Sequence, residues 1–163
     1  MRDPRLGRLI EMCGRRIGEF EPQAIGNIAW GCAKTGFTDQ RFFKAVAEEA
    51  SKKIQKFDPQ NMANTVWAFA AASVAADLFF KVVAAEVPRL IGKFKAQEMA
   101  NTVWAFATAR VTAEPLFKAV AAEVPRRIGE FNAQNMVNTV WAFATANVTA
   151  VPLFKAVAAE VPQ

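Results

Sequence analysis

The stretch DPQNMANTVWAFAAAS, residues 58–73, returns as KAQEMANTVWAFATAR at 95–110 and as NAQNMVNTVWAFATAN at 132–147. A diverged form, EPQAIGNIAWGCAKTG, occupies 21–36. Trp30, Trp67, Trp104 and Trp141 mark a step of 37 residues. Phe20, Phe57, Phe94 and Phe131 keep the same step, as do Phe43, Phe80, Phe117 and Phe154, each followed by a lysine. No gap interrupts the register. A fixed step of this length is the sequence signature of a tandem array of small structural units.

The quoted stretch reads as a helix. Asp58 is a good N-cap and Pro59 suits the first helical position. Asn132 serves the fourth copy in the same way, whereas Lys95 is a poor cap and predicts a ragged start. A second helical pattern follows in each unit, as in residues 112–131, with Leu116, Val120 and Val124 at helical spacing. Thr38, Thr112 and Thr149 are its expected N-caps, with Ala75 as the exception. Residues 5–20 match this second helix, so the chain opens and closes on one and nine helices are expected. Pro88, Pro125 and Pro162 fall well inside the second helix and predict kinks there.

Such helix pairs cannot each close a core alone, so they stack. The expected fold is all-α, an α-solenoid of 37-residue helix-turn-helix repeats. One array spans 1–163: a half repeat at 1–20, full repeats at 21–57, 58–94 and 95–131, and a nearly complete one at 132–163. Composition agrees, with 53% hydrophobic and 21% charged residues. The apolar run at 65–76 is too short for a membrane span of ~20 residues.

Around the first helix, Met62, Val66 and Phe69 share one side and are expected to pack on the second helix. Ala63 and Ala70 face a neighbouring helix. Gln60, Asn64 and Ala71 fall on the opposite side, with Trp67 on its shoulder. That side is commonly the concave surface of a solenoid. Asparagine at mid-helix asks for a reason, because its side chain competes for backbone groups. Two reasons stay open. The amides of Gln23, Asn27, Gln60, Asn64, Gln97, Asn101, Gln134 and Asn138 either bond the adjacent repeat as a ladder or face a ligand. The tryptophans read as core. On the same stripe Lys34, Ala71, Thr108 and Thr145 vary, as do Ala24, Asn61, Glu98 and Asn135 after the glutamine. Fixed amides beside varying neighbours suit a modular reader of a linear ligand, and exposed drift explains the variation as well.

The net charge is +5. Arg15 and Arg16, Lys52 and Lys53, Arg89, then Arg126 and Arg127 recur shortly before each first helix, so stacking would line them along one edge. A basic track beside an amide-bearing face suits a phosphate backbone. Cations late in a helix also complement its dipole, which is the competing explanation.

Catalysis finds no foothold, and no enzyme, cofactor or metal site is expected. The chain has no histidine and no tyrosine, and it carries no glycine-rich phosphate loop or nucleophile elbow. Without histidine the usual zinc sets cannot be assembled from one chain. Cys32 fills the slot of Phe69, Phe106 and Phe143 and reads as a small buried hydrophobe.

The recurring F-(N/D)-(A/P)-Q-N-M-x-N-T-V-W-A-F-A-T resembles the octotricopeptide-type helical repeats of algal and protist organelle proteins. These are akin to the repeats of FAST-kinase-like mitochondrial RNA proteins and of kinetoplastid RNA-editing substrate-binding complex subunits. The resemblance runs from Leu6 to Gln163. It implies a protein that binds single-stranded RNA in transcript stability, processing, editing or translation, with protein partners in an RNA-processing complex. It also implies a mitochondrial or plastid location. Nothing resembles the RAP domain that often accompanies such repeats. A protein-interaction scaffold is the alternative. The arginine-rich residues 1–20 contain Asp3, Glu11 and Glu19 and align with a second helix, so they read as an end helix and not a transit peptide. The chain stops within a second-helix pattern, as a fragment or truncated product would. Uncapped apolar ends predict self-association.

Overall fold

A computed structural model describes residues 4–160. Nine α-helices lie among them: α1 (Pro4–Arg15), α2 (Pro22–Lys34), α3 (Gln40–Lys52), α4 (Pro59–Ala71), α5 (Asp77–Leu90), α6 (Ala96–Thr108), α7 (Glu114–Glu123), α8 (Ala133–Thr145) and α9 (Val151–Glu160). A single 3₁₀ turn leads into each of α2, α4 and α6, and two precede α8. The described residues contain no strand, and no helix is long and apolar enough to cross a membrane.

Two layers result. Helices α2, α4, α6 and α8 pack side by side in order, and α1, α3, α5, α7 and α9 form a second layer over them. The first layer packs closely because its contact positions are small. A Cβ on Gly26 would come within 3.3 Å of Thr65 Oγ1 on the next helix, and Ala63 and Ala100 fill the same slot fully buried. Between the layers lie Met62, Val66 and Phe69 with their counterparts, as the helical wheel predicts. Edge-to-face ring pairs join α3, α5 and α7 each to the following first-layer helix: Phe43–Phe69 at 5.3 Å, Phe80–Phe106 at 4.9 Å and Phe117–Phe143 at 5.1 Å. Such pairs add about 0.5–1.5 kcal/mol each beyond their burial.

The helix starts depart from expectation in two ways. Helix α6 begins in register despite Lys95, because the Glu98 carboxylate accepts the Lys95 backbone N–H at 2.8 Å. At 98 and 135 the varying side chain takes part in capping, since Asn135 Oδ1 likewise accepts the Asn132 N–H, at 3.3 Å. The Asn61 N–H donates to Asp58 Oδ1 at 2.7 Å, and the Asn135 N–H to Asn132 Oδ1 at 2.8 Å. The threonines do not cap the second layer. Asp39, not Thr38, accepts the Phe42 N–H at 2.9 Å, while α5 and α7 follow Ala76 and Ala113, and α9 starts two residues after Thr149. Those alanines are buried. Their packing fixes the start, and Asp77 and Glu114 complement the helix dipole instead.

The prolines act differently from one another. Pro88 lies inside α5, which continues to Leu90. Pro125 ends α7 early and sits in a 3₁₀ turn, Val124–Arg126. Pro162 is outside the described residues.

Candidate functional site

The face of the first layer turned away from the second carries the predicted stripe. Gln23, Gln60, Gln97 and Gln134 are exposed near the start of each helix. Asn27 is exposed, and Asn64, Asn101 and Asn138 are half-buried one turn further on. Among the described residues no hydrogen bond joins these amides to a neighbouring repeat. The amide-to-amide bond present, Gln134 Nε2 to Asn138 Oδ1 at 2.8 Å, runs within α8. The inter-repeat amide ladder is thus not formed.

The ladder is aromatic instead. Ring centroids of Trp30, Trp67, Trp104 and Trp141 follow one another at 6.3, 6.2 and 6.3 Å, with interplanar angles of 38°, 26° and 32°. The core reading is corrected for Trp30 and Trp141, while Trp104 packs against the hydrophobic core. Trp30 is 42% and Trp141 44% exposed, and the two between are half-buried. The helical wheel places Trp67 beside the amides, and the ring-to-ring spacing that makes a ladder of the four depends on how the repeats stack.

Lys34 is the one variable-position residue that reaches this face as a cation. Its Nζ stands 5.3 Å from the Trp30 ring and 5.1 Å from the Trp67 ring, in the notch between them. Ala71 ends at its methyl group. Thr108 and Thr145 line two equivalent clefts on the far edge, of about 280 and 620 Å³, bounded by successive turns after α4 and α6. The Thr108 hydroxyl is buried without a partner. These clefts were not foreseen, because the turns that frame them are the least patterned part of the repeat.

The basic residues lie along the edge where first-layer helices begin, the edge that also presents the glutamines. They divide into two classes. Lys52 and Arg89 are 71% and 66% exposed and make i,i+3 pairs with Glu49 and Glu86. Arg15 pairs with Glu11, and Arg126 has no ion pair among the described residues. Arg16 pairs with Glu19 at 2.6 Å, which raises the guanidinium's pKa and lowers the carboxyl's through their hydrogen bond. Lys53 and Arg127, by contrast, are about one-fifth exposed and reach back one repeat. Lys53 Nζ donates to the carbonyls of Gly18 and Phe20 at 2.7 and 2.8 Å. Arg127 donates to the Phe94 carbonyl at 2.9 Å while also pairing with Glu130 and Glu123. These two cations are structural clamps whose donors are already engaged.

The aromatic ladder, its amide margin and its basic edge recur unit by unit, whereas the Lys34 ammonium beside Trp30 and Trp67 and the Lys53 and Arg127 clamps each belong to one unit. No curated protein matches the chain. A family model described as RNA-editing substrate-binding complex 6 protein matches residues 6–161, nearly the whole array. The chain belongs to the family of RNA-editing substrate-binding complex 6 proteins.

Proposed function

We propose that this protein binds single-stranded RNA along the tryptophan face, without catalysis, as a subunit of an RNA-editing substrate-binding complex in the mitochondrion. The family description supports an RNA-editing role with RNA and protein partners. The observation that carries the surface assignment is the four-ring ladder beside the glutamine and asparagine amides. Aromatic rings that bases can contact, bordered by amides and a basic edge, are the usual elements of single-strand recognition. Arg15, Lys52, Arg89 and Arg126 supply the phosphate contacts, because exposed carboxylate pairs are worth little and exchange readily for phosphate. Lys53 and Arg127 act through the fold.

The test is a salt titration of single-stranded RNA binding. Each phosphate contact contributes about −0.7 to the slope of log affinity against log salt. Four contacts predict a slope of roughly −3. Binding that ignores salt, or is absent at low salt, would overturn the proposal. A scaffold role for proteins has one observation in its favour: α8 exposes Val137, where the equivalent Gly26, Ala63 and Ala100 of earlier repeats are buried.

A further inference from the structure

The four indoles define three notches, and they differ in what fills them. The Lys34 ammonium occupies the first, nearly equidistant from the Trp30 and Trp67 rings. At the equivalent position beside the second notch, between Trp67 and Trp104, stands Ala71, which is exposed and ends at its methyl group. Beside the third, between Trp104 and Trp141, stands Thr108, whose hydroxyl is buried in the array. Among the described residues no cation other than Lys34 lies over these rings. The second and third notches therefore present indole surface that no long side chain from this position covers.

We infer that the second and third notches each receive one nucleobase, one nucleotide per repeat, and that Lys34 is a built-in plug that closes the first. This inference rests on the RNA reading above. The ring spacing of 6.2–6.3 Å leaves no room for a base between two indole faces, so a base would lie across the outer edges of a ring pair, a contact that tolerates any base. The Lys34 ammonium shows that a group inserted from the outer side can touch two rings at once. The residue at 34, 71 and 108 then sets how many nucleotides the ladder engages: a long side chain closes a notch and a short one leaves it open.

The inference predicts opposite effects from opposite substitutions. The probe is a short oligoadenylate, followed by quenching of tryptophan emission and by affinity at moderate salt. Ala71→Met adds a neutral plug at an exposed position, and it should weaken binding about tenfold, the scale of one lost stacking contact. The same variant should lose part of the quenching. Lys34→Ala should open the first notch, deepen the quenching and leave affinity equal or higher. Unchanged affinity and full quenching in Ala71→Met would overturn the inference, and so would weaker binding in Lys34→Ala together with tighter binding in Ala71→Lys. The last pattern would make the ladder a floor under phosphate contacts. Absence of any oligoadenylate binding by the unaltered protein at low salt would instead defeat the RNA reading itself.

Discussion

Lys53 Nζ lies 2.8 Å from the carbonyl oxygen of Phe20, a full repeat earlier in the chain. The contact satisfies a carbonyl just ahead of α2 and ties two repeats at the edge where the first-layer helices begin. Glu49 holds the ammonium from the other side, and the hydrogen bond from Lys53 lowers the Glu49 pKa. Charged hydrogen bonds contribute about 1.5–3 kcal/mol. Lys53→Met and Arg127→Met should each lower the unfolding free energy from a urea titration by an amount on that scale, while Lys52→Met and Arg126→Met should leave it nearly unchanged. Equal effects across the four would show that the clamps are not specific.

The turns after the first-layer helices predict stabilising changes. Ser73, Arg110 and Asn147 hold φ near +55°, at the position where the first repeat has Gly36 at 68°. The Val74 N–H bonds the Phe69 carbonyl at 3.0 Å, closing the helix end in a left-handed cap. A side chain disfavours that conformation by roughly 1–2 kcal/mol, and asparagine tolerates it best. Ser73→Gly and Arg110→Gly should raise the thermal midpoint, with a smaller rise for Asn147→Gly. Calorimetry checks the order.

Glu98 is the second test of local chemistry. Glu98→Ala removes the acceptor for the Lys95 N–H and should cost about 0.5–2 kcal/mol. Replacing Lys95 by Asp in that variant restores a conventional cap and should recover most of the loss. Failure of the second change to rescue the first would mean that α6 is held in register by packing alone.

How much of this was legible beforehand follows from what each residue encodes. The 37-residue step of Trp30, Trp67, Trp104 and Trp141 yields the array, and the wheel through Met62, Ala63 and Gln60 yields the two layers and the outer face. Those depend on local periodicity. The helix starts at Lys95 and Thr112 were misread because a partner three residues on, or burial of Ala113, decides them. The roles of Lys53 and Arg127 were hidden because identical residue types in register can serve either fold or ligand. Only the distance to a carbonyl one repeat away separates the two uses.

Cysteine reactivity follows from burial. The Cys32 thiol pKa is pushed up to about 11, first by burial and then by the neighbouring Cys13. At pH 8 an alkylating reagent should modify Cys13 and spare Cys32 until the protein unfolds. The neutral thiol favours the folded state below the unfolded pKa of ~8.5. That stability is lost as pH rises toward the folded value. Cys32→Ala should show a shallower alkaline decline in urea midpoint, and identical declines would contradict the assignment.

The central claim is that RNA lies on the tryptophan face, and ultraviolet crosslinking to single-stranded RNA with peptide mapping tests it most directly. Tryptic cleavage separates the ladder residues into distinct peptides, with Trp67 in 57–81, Trp104 in 96–110 and Trp141 in 128–155. The account predicts crosslinks in all three peptides, concentrated at the tryptophans and at the amides one turn before them. Crosslinks confined to the second-layer helices or to the turns that frame the far-edge clefts, with the ladder unmarked, would contradict it.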